Sequence, residues 1–266
     1  MKSYLSYFKL RFITNLQYRT EAIAGICTQI FFGLIFIMVY LAFYESGGDT
    51  PMNWQELVNY LWLQQSFFAL IYPFDRENEL LNMIKNGNLA YELIRPQDFY
   101  FKWYIKMLAK RLVAVILRFI PLIILAISLP YPFHLSGPYS INNFIMFIVA
   151  LTLGFFLVTS LNLLMHILTM FTLDEKGTMT TYNVIAEIFM GGTIPIPFFP
   201  LWLKHIAEFL PFRFIGDFPF RIYSNSIPLQ EGYILIIGSI IWIIITISLG
   251  YLISRVSLRK AVIQGG

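Results

Sequence analysis

Few side chains in this sequence have the capacity for catalytic chemistry, and no group of them forms a recognised catalytic pattern. The histidines are scattered at His134, His166 and His205, and no H-E-x-x-H sequence is present to bind zinc from one helix face. No G-x-S-x-G sequence supplies a serine nucleophile. The single cysteine, Cys27, lies in an apolar run and is predicted to be a small buried hydrophobic residue. We therefore predict no catalytic site and no metal site, so the chain is not expected to be an enzyme.

Two charged residues stand out because they lie within apolar segments. Arg118 follows Arg111 by seven residues and Glu187 follows Lys176 by eleven, which places them roughly 10 and 16 Å along their helices. An arginine at the centre of a membrane helix costs about 2.5–3.5 kcal/mol on insertion scales, so both residues are expected to face protein. They could pair with each other, line a cavity used in transport, or occupy exposed positions.

The composition indicates that the surroundings of these residues are lipid. Of 266 residues, 58% are apolar and 13% are charged, whereas soluble domains carry about 25% charged residues. No Asp, Glu, Lys or Arg occurs between Phe119 and Leu173, and that run is long enough for two membrane crossings. We predict an all-α integral membrane protein. Its basic residues lie on particular loops, so they do not indicate binding to nucleic acid.

Six apolar segments have about the 17–25 residues that a membrane crossing needs, although the fifth is marginal. They are 22–43, 57–74, about 104–129, about 143–172, about 179–194 and 233–253. Residues 1–20 precede them and repeat apolar side chains at helical spacing, which predicts a helix lying on the membrane surface. The sequence thus predicts six transmembrane helices after an N-terminal interfacial helix.

The distribution of basic residues predicts the orientation of these spans. With both termini placed in the cytoplasm, fifteen of the nineteen Lys and Arg residues lie on the inner side and three lie on the outer side. This is the bias that membrane proteins show toward positive cytoplasmic loops. Lys102, Lys106 and Lys110 repeat every four residues beside the third span. An electrostatic contact with anionic lipid head groups is sufficient to explain this row of lysines.

The longest cytoplasmic loop, 75–103, carries the pattern of a short amphipathic helix. Its apolar residues share one helical face as far as a glycine, which is a plausible helix stop, and then resume up to an Arg-Pro pair. The residues of this pattern are Leu80, Leu81, Ile84, Gly87, Leu89, Arg95 and Pro96. Such a helix can lie on lipid or dock into a groove of another protein. The mixed charge of the loop favours a protein, because lipid-surface helices are mainly basic.

Residues 191–212, GGTIPIPFFPLWLKHIAEFLPF, are apolar enough for a bilayer but cannot form one straight helix. Prolines break helices by removing a backbone donor. Non-helical backbone is tolerated at membrane depth only where protein or a water-filled cavity surrounds it. The residues expected to shape the segment are Gly191, Gly192, Pro195, Pro197, Phe199 and Pro200.

Two stretches resemble a known family. Residues 84–89, IKNGNL, followed by LIRP at 93–96, resemble the I-x-x-G-x-L…L-x-R-P loop of ABC-2 type ABC-transporter permeases, closest to the six-span export permease subgroup. The 191–212 stretch is similar to the signature of that family between its fifth and sixth spans. The resemblance implies one transmembrane domain over 1–266. Within it, 75–103 would be the cytoplasmic coupling loop with its coupling helix, and 191–231 an outer re-entrant hairpin.

The resemblance also implies a function. The chain would be the permease subunit of an ATP-driven, multidrug-type exporter in the plasma membrane of a prokaryote, with a drug, peptide or lipid as an amphipathic or hydrophobic substrate. No G-x-x-x-x-G-K-[ST] sequence occurs, so this chain cannot hold ATP phosphates in such a loop. ATP and Mg²⁺ would be bound by two partner ATPase subunits, and this chain would bind no cofactor. The translocation path would form with a second permease, a related one being slightly favoured over an identical one.

Two other classes of protein fit the sequence less well. An ATP-independent secondary transporter would show repeats with matching broken helices in both halves. The Pro/Gly interruption before the sixth span has no obvious counterpart after the second span. A membrane enzyme or an assembly scaffold would need polar clusters at the membrane surface, and the sequence offers none.

Overall fold

The computed structural model describes residues 2–17, 19–47, 50–73, 75–86, 89, 92, 94, 96–172 and 175–260, and the secondary structure in these ranges is helical. The helices in chain order are α1 (Lys2–Asn15), α2 (Arg19–Glu45), α3 (Trp54–Ser66), α4 (Phe68–Ile71), α5 (Asn78–Lys85), α6 (Phe99–Ser128), α7 (Ile141–Leu168), α8 (Glu175–Phe189), α9 (Leu201–Phe209), α10 (Asp217–Tyr223) and α11 (Leu229–Lys260). Short 3₁₀ turns cover Ile196–Phe198 and Pro211–Phe214.

Polar side chains cap several of these helices, which explains where they begin. The Asp98 carboxylate accepts a hydrogen bond of 3.2 Å from the backbone N–H of Phe101 at the start of α6. The Ser140 hydroxyl does the same for Asn143 at the start of α7, also at 3.2 Å. Such caps satisfy backbone donors that have no partner within the helix. The long helices therefore start at positions that the local sequence specifies.

Four helices in the described part of the chain are long and apolar enough to cross a membrane: Thr20–Glu45 of α2, α6, α7 and Leu229–Arg259 of α11. Large apolar side chains such as Phe31, Ile124 and Ile241 are exposed on them. These surfaces suit contact with lipid and support a multi-pass membrane protein.

The two other predicted spans are shorter in the structure. The predicted span 57–74 corresponds to α3 and α4, which are separated at Phe67. The predicted span 179–194 corresponds to α8, a helix of 15 residues. Both were expected to be continuous apolar spans, but neither reaches the length of the other four. Six membrane crossings therefore stay a prediction.

The loops gather at two opposite ends of the bundle. At one end, the loop after α6 covers the start of α3, where the indole N–H of Trp54 donates to the Pro132 carbonyl at 3.0 Å. At the other end, the phenol oxygen of Tyr4 in α1 accepts a hydrogen bond of 2.9 Å from the backbone N–H of Asp98. The ring of Tyr100 meets that of Tyr251 in α11. We call this second end, made of α1, the described residues between 72 and 98 and the last turns of α11, the basic end.

Helix α7 lies at the centre of the bundle. Residues 157–164 of α7 are buried throughout, so this helix is surrounded by protein on all sides over these turns. Its Ser160 hydroxyl lies 2.7 Å from the Thr246 hydroxyl of α11, one of the few polar contacts between the two helices. Cys27, predicted to be buried, is exposed on α2, because the face of α2 that carries it points away from the bundle.

Residues 191–223 first run away from the middle of the bundle, then back toward it, and then away from it again. Gly191, just after α8, lies beside Tyr60 of α3. The chain then reaches the C-terminal part of α2, where the rings of Phe198 and Tyr40 are 5.4 Å apart. It returns along α9, and the ring of Phe209 packs 6.3 Å from that of Trp242 in α11.

The innermost point of this path is at Gly154, in the middle of α7. A Cβ atom at Gly154 would lie 2.9 Å from the carbonyl oxygens of both Phe214 and Ile215. From there α10 leads outward, and the Tyr223 carbonyl accepts a hydrogen bond of 3.0 Å from the backbone N–H of Tyr139. All of residues 211–220 are buried. The close approach of two backbones therefore depends on the missing side chain of Gly154.

We expect Gly154→Ala to lower the thermal unfolding midpoint of the purified chain, because the new methyl group would press on backbone carbonyls that cannot rotate away. Overpacking of this kind costs about 1–3 kcal/mol. Gly137→Ala is the matched control, since a Cβ atom there meets no atom within 4 Å. Equal midpoints for the two variants would contradict the close approach.

Candidate coupling site

A row of three lysines on α6 holds the acidic residues of the loop between α4 and α6. The lysines lie four residues apart and therefore share one helix face. Their ion pairs are Lys102 with Glu92, Lys106 with Glu77 at 2.9 Å and with Glu79, and Lys110 with Asp75 at 2.6 Å. We call Lys102, Lys106 and Lys110 the lysine row.

Burial decides what the lysine row does. The side chains of Lys102 and Glu92 are each 3% exposed, and those of Lys106 and Glu77 are each 8% exposed. Charges this far from water must be paired, because desolvation costs several kcal/mol per ion. The prediction that these lysines contact lipid head groups is therefore wrong for the buried ones. Carboxylates of the same chain occupy their ammonium groups.

Asp75 connects the lysine row to a neighbouring arginine. Burial alone would raise the pKa of Asp75, but the charges of Lys110 and Arg111, with the hydrogen bond from Lys110, lower it. The ion pair therefore stabilises the fold at pH values above the usual pKa of about 3.9. This contribution is lost as the pH falls through the lower pKa of the folded state.

The guanidinium of Arg111 holds the end of α4 in place. Its Nη1 donates to the carbonyls of Leu70 at 2.9 Å and Tyr72 at 2.6 Å. These carbonyls lie at the end of a helix and have no partner within it. Arg111 is almost completely buried, so carbonyl dipoles as well as Asp75 compensate its charge.

Helix α7 holds the same loop from the other side. The Asn162 amide donates to the carbonyls of Pro73 at 3.2 Å and Asp75 at 2.9 Å. The backbone N–H of Glu77 donates to Nε2 of His166 at 2.9 Å. Nδ1 of His166 lies 2.8 Å from the Asn162 carbonyl, which fits a neutral imidazole with its proton on Nδ1. Asp75 and Glu77 are thus attached to both α6 and α7, and Pro73 is attached to α7.

The predicted coupling residues are mostly turned toward the bundle. Leu80, Leu81 and Leu89 are buried, and Ile84 is half-buried against the core. The apolar face of α5 is therefore covered by its own chain, and Leu80 and Leu81 do not form an exposed docking surface. Pro96 is exposed. Gly87 and Arg95 lie outside the residues that the structure describes.

The charges of the loop do not indicate a protein partner, although their mixed sign predicted one. Most of the acidic residues form ion pairs with the lysine row of the same chain. What the loop exposes is the polar side of α5, with Asn78, Asn82 and Lys85. Farther along, Ile94 has 81% of its surface exposed. An apolar residue this exposed is a more suitable contact for another protein than the buried Leu80 or Leu81.

At the opposite end of the bundle, the glycines after α8 are held by α3. Gly191 has a positive φ of 75°, and its carbonyl accepts hydrogen bonds from the Tyr60 hydroxyl at 3.1 Å and the Gln64 amide at 3.3 Å. A Cβ atom at Gly191 would lie 2.3 Å from the Tyr60 oxygen. Gln64 also donates to the Gly192 carbonyl. Both the conformation and the contact therefore require glycine at 191.

The other predicted residues of this segment differ in exposure. Pro195 is buried and precedes the first 3₁₀ turn, and Pro197 lies half-buried within that turn. Phe199 is half-buried, and Pro200 is exposed at the start of α9. The prolines thus stand at the breaks between helical pieces, as their lack of an N–H donor predicts.

The sequence interpretation missed a buried charge in this region. Asp217 is fully buried and accepts a hydrogen bond of 3.3 Å from the backbone N–H of Ile196. Its other oxygen forms an ion pair of 3.2 Å with Arg221, one helical turn later. Arg221 is one of the three basic residues that the sequence places on the outer side. The signal that could have found the pair is the i, i+4 spacing of Asp and Arg within an apolar stretch.

Arg118 and Glu187 are not partners in the structure. Arg118 reaches back along α2, where its Nη2 lies 3.4 Å from the carbonyl of Glu21. The Glu187 carboxylate accepts a hydrogen bond of 3.3 Å from the Thr193 hydroxyl. No ion pair joins the two among the residues described. Arg118 lines a cavity, and a role of this cavity in transport stays a prediction.

These features define a multi-pass membrane protein with a structured loop at one end. A comparison with protein families matches residues 21–265 to the family described as ABC-2 family transporter protein. The chain therefore belongs to the ABC-2 transporter family. It is a membrane permease component of an ABC transporter, a class that works with ATPase partners and is not itself catalytic. No curated protein and no solved structure matches the chain.

We expect Lys106→Gln to destabilise the chain strongly, because it leaves the buried Glu77 carboxylate without its counter-charge. Removing one partner of a buried pair costs about 3–5 kcal/mol. The double variant Lys106→Gln/Glu77→Gln should recover part of this loss. Lys85→Gln on the exposed side of α5 should change stability by no more than about 0.5 kcal/mol. Thermal unfolding in detergent measures wild type, the single variants Lys106→Gln and Glu77→Gln, the double variant and the Lys85→Gln control. A double variant as unstable as the sum of its two singles would contradict the pairing.

Because Arg118 and Glu187 have separate partners, we expect Arg118→Gln and Glu187→Gln to act independently on stability. Their effects on the unfolding free energy should add to within about 0.5 kcal/mol. A coupling energy above about 1 kcal/mol in the double-mutant cycle would instead indicate that the two side chains interact.

Proposed function

We propose that the chain is the permease subunit of an ATP-driven exporter, and that residues 75–98 receive the movement of a separate ATPase. Membership of the ABC-2 transporter family carries the proposal. The attachment of Asp75 and Glu77 to α6 and α7 supports it. A force applied to this loop would reach two long helices directly, without passing through a flexible connection.

In this proposal the basic end faces the cytoplasm. Lys and Arg residues are concentrated there, which is the arrangement expected of cytoplasmic loops. α1 would lie at the inner membrane surface, where exposed apolar side chains such as Leu5 and Leu10 would contact lipid. The cell membrane of a prokaryote is the proposed location.

The two shorter helical segments would complete six crossings. α3 and α4 would form the second span, broken at Phe67, and α8 would form the fifth. At about 1.5 Å per residue, the 15 residues of α8 extend roughly 22 Å, so the glycines that follow it would still lie at membrane depth. Residues 191–231 would then form a re-entrant hairpin on the outer side. The second break of its backbone lies within residues 211–220, which are all buried, and burial in protein is the condition for irregular structure in a membrane.

The transport path would form between this chain and a second permease, with a related chain slightly favoured over an identical one. Two ATPase subunits would bind ATP and Mg²⁺. Their closure would press on residues 75–98 of each permease and move the pair between inward-facing and outward-facing states. The substrate would be amphipathic or hydrophobic, as expected of a drug, a peptide or a lipid.

The contact surface for the ATPase needs to be exposed, which excludes the buried leucines. We assign it to the outer side of α5 together with Ile94 and Pro96. Leu80, Leu81 and Leu89 would instead hold the loop in shape, and Ile84 lies at the border between the two groups. A substitution at Leu89 would therefore disturb the fold of the loop as well as docking, and Ile94 is the better position for a test.

We expect Ile94→Asp to reduce recovery of the ATPase when the tagged chain is purified from its native host in mild detergent. A charge at this position would have to be buried without a partner in the docked complex. Tyr131→Asp is the matched control, because Tyr131 is 74% exposed in the loop at the opposite end of the bundle.

The same purification decides between the proposed function and its alternatives. The proposed function would be supported if an ATPase and a second six-span chain are recovered with wild type and with Tyr131→Asp, and if Ile94→Asp recovers less of the ATPase. An unchanged amount of ATPase with Ile94→Asp and Ile84→Asp would contradict the docking surface. Substrate flux driven by an ion gradient alone, from the chain reconstituted without ATPase, would contradict the whole proposal and favour a secondary transporter.

A further inference from the structure

A cavity of about 650 Å³ lies at the basic end, beside the lysine row. Its walls come from the end of α1, the start of α2, α4, the loop before α5, and the first two-thirds of α6. Its volume is within the range of small-molecule sites, about 300–1,000 Å³. The cavity is therefore large enough for a ligand and lies within this single chain.

The charged residues that line the cavity are mostly basic. The basic ones are Arg11, Arg76, Lys106, Lys110, Arg111 and Arg118, and the acidic ones are Glu21, Asp75 and Glu77. Two further acids outside the lining compensate part of this excess, because Glu79 pairs with Arg11 and Glu175 with Arg76. With these two acids included, the basic residues outnumber the acidic residues by one. The cavity is thus suited to a ligand with a negative charge.

Arg118 is the cavity arginine for which the described chain supplies no acidic partner within ion-pair distance. The carbonyl of Glu21, at 3.4 Å, is its one hydrogen-bond acceptor among the described residues, and its Nε has no partner. Gly25 of α2 makes room for this side chain, since a Cβ atom there would lie 2.7 Å from the Cζ atom of Arg118. An ionisable side chain within a membrane helix is usually paired or functional.

The wall between Arg118 and the lysine row is apolar. Ala69 of α4 and Val113, Ala114 and Leu117 of α6 contribute to it. A small ion would leave this surface uncovered, whereas an apolar chain attached to an anionic group would cover it. A guanidinium offers two parallel donors that match the oxygens of a phosphate or a carboxylate.

We propose that this cavity binds an anionic amphiphile, with its phosphate or carboxylate group on Arg118 and its apolar part along Ala69, Val113, Ala114 and Leu117. The ligand could come from the membrane, as an anionic phospholipid, or from the cytoplasm, as a soluble alkyl phosphate. Both share the chemistry that the cavity recognises. The site belongs to this chain alone, so it does not depend on the proposed ATPase coupling.

Binding of radiolabelled dodecyl phosphate to the full chain in a neutral detergent tests the site. We expect saturable binding to wild type. Arg118→Gln should reduce the affinity by about tenfold or more, because a charged hydrogen-bond partner is lost. Arg118→Lys keeps the charge but loses the paired donors, so its affinity should lie between those of wild type and Arg118→Gln. Arg255→Gln is the matched control, because Arg255 is exposed on α11 at the same end of the bundle and does not line the cavity. Thermal unfolding of each variant shows whether it is folded.

Competition against the wild-type protein distinguishes the sources of the ligand and needs no variant. Displacement by phosphatidylglycerol, but not by phosphatidylcholine, would support a lipid from the membrane. Displacement by soluble alkyl phosphates without an effect of phosphatidylglycerol would support the cytoplasmic source. The proposal would be overturned if dodecyltrimethylammonium or inorganic phosphate displaced the label as effectively as dodecyl phosphate does. Equal affinity of wild type and a folded Arg118→Gln would also overturn it.

Discussion

The structure depends on one electrostatic constraint, which is that a charge removed from water needs an opposite charge or aligned carbonyl dipoles close to it. Helix α6 carries buried cations, among them Lys102, Lys106 and Arg111. The loop between α4 and α6 supplies the carboxylates of Glu77 and Glu92, and the end of α4 supplies carbonyls. The loop must therefore lie against α6, and the position of its short helix α5 follows from this pairing.

The same contacts make the loop and the two long helices behave as one unit. Separating a buried ion pair without replacement costs about 3–5 kcal/mol, which exceeds the 1–3 kcal/mol that commonly couples two sites in a protein. Hydrogen bonds from Asn162 and to His166 add attachment to α7. We therefore expect the loop to move together with α6 and α7 rather than to bend away from them. A rigid connection of this kind suits a subunit that belongs to a family of ATP-linked permeases and contains no P-loop of its own.

The opposite end obeys the same rule with different residues. Asp217 is buried beside Arg221 and holds the segment that follows Gly191, while Gly154 allows that segment to reach the middle of the bundle. Arg118 has no described carboxylate within ion-pair distance, and a backbone carbonyl is its hydrogen-bond acceptor. It lies beside a cavity, where in our proposal an outside ligand supplies the opposite charge.

The sequence by itself determined the class of the protein, the four long apolar helices and the breaks at the prolines of residues 191–212, but not the break at Phe67. These are local properties, because apolar run length, helical spacing and proline positions act on neighbouring residues; the family resemblance also rested on such short stretches. The tertiary structure alone decided that Leu80 and Leu81 face inward, that the lysine row meets carboxylates rather than lipid, and that Asp217 is buried. Lys106 and Glu77 are 29 residues apart in the chain. Their contact results from the packing of whole helices, which no local pattern specifies.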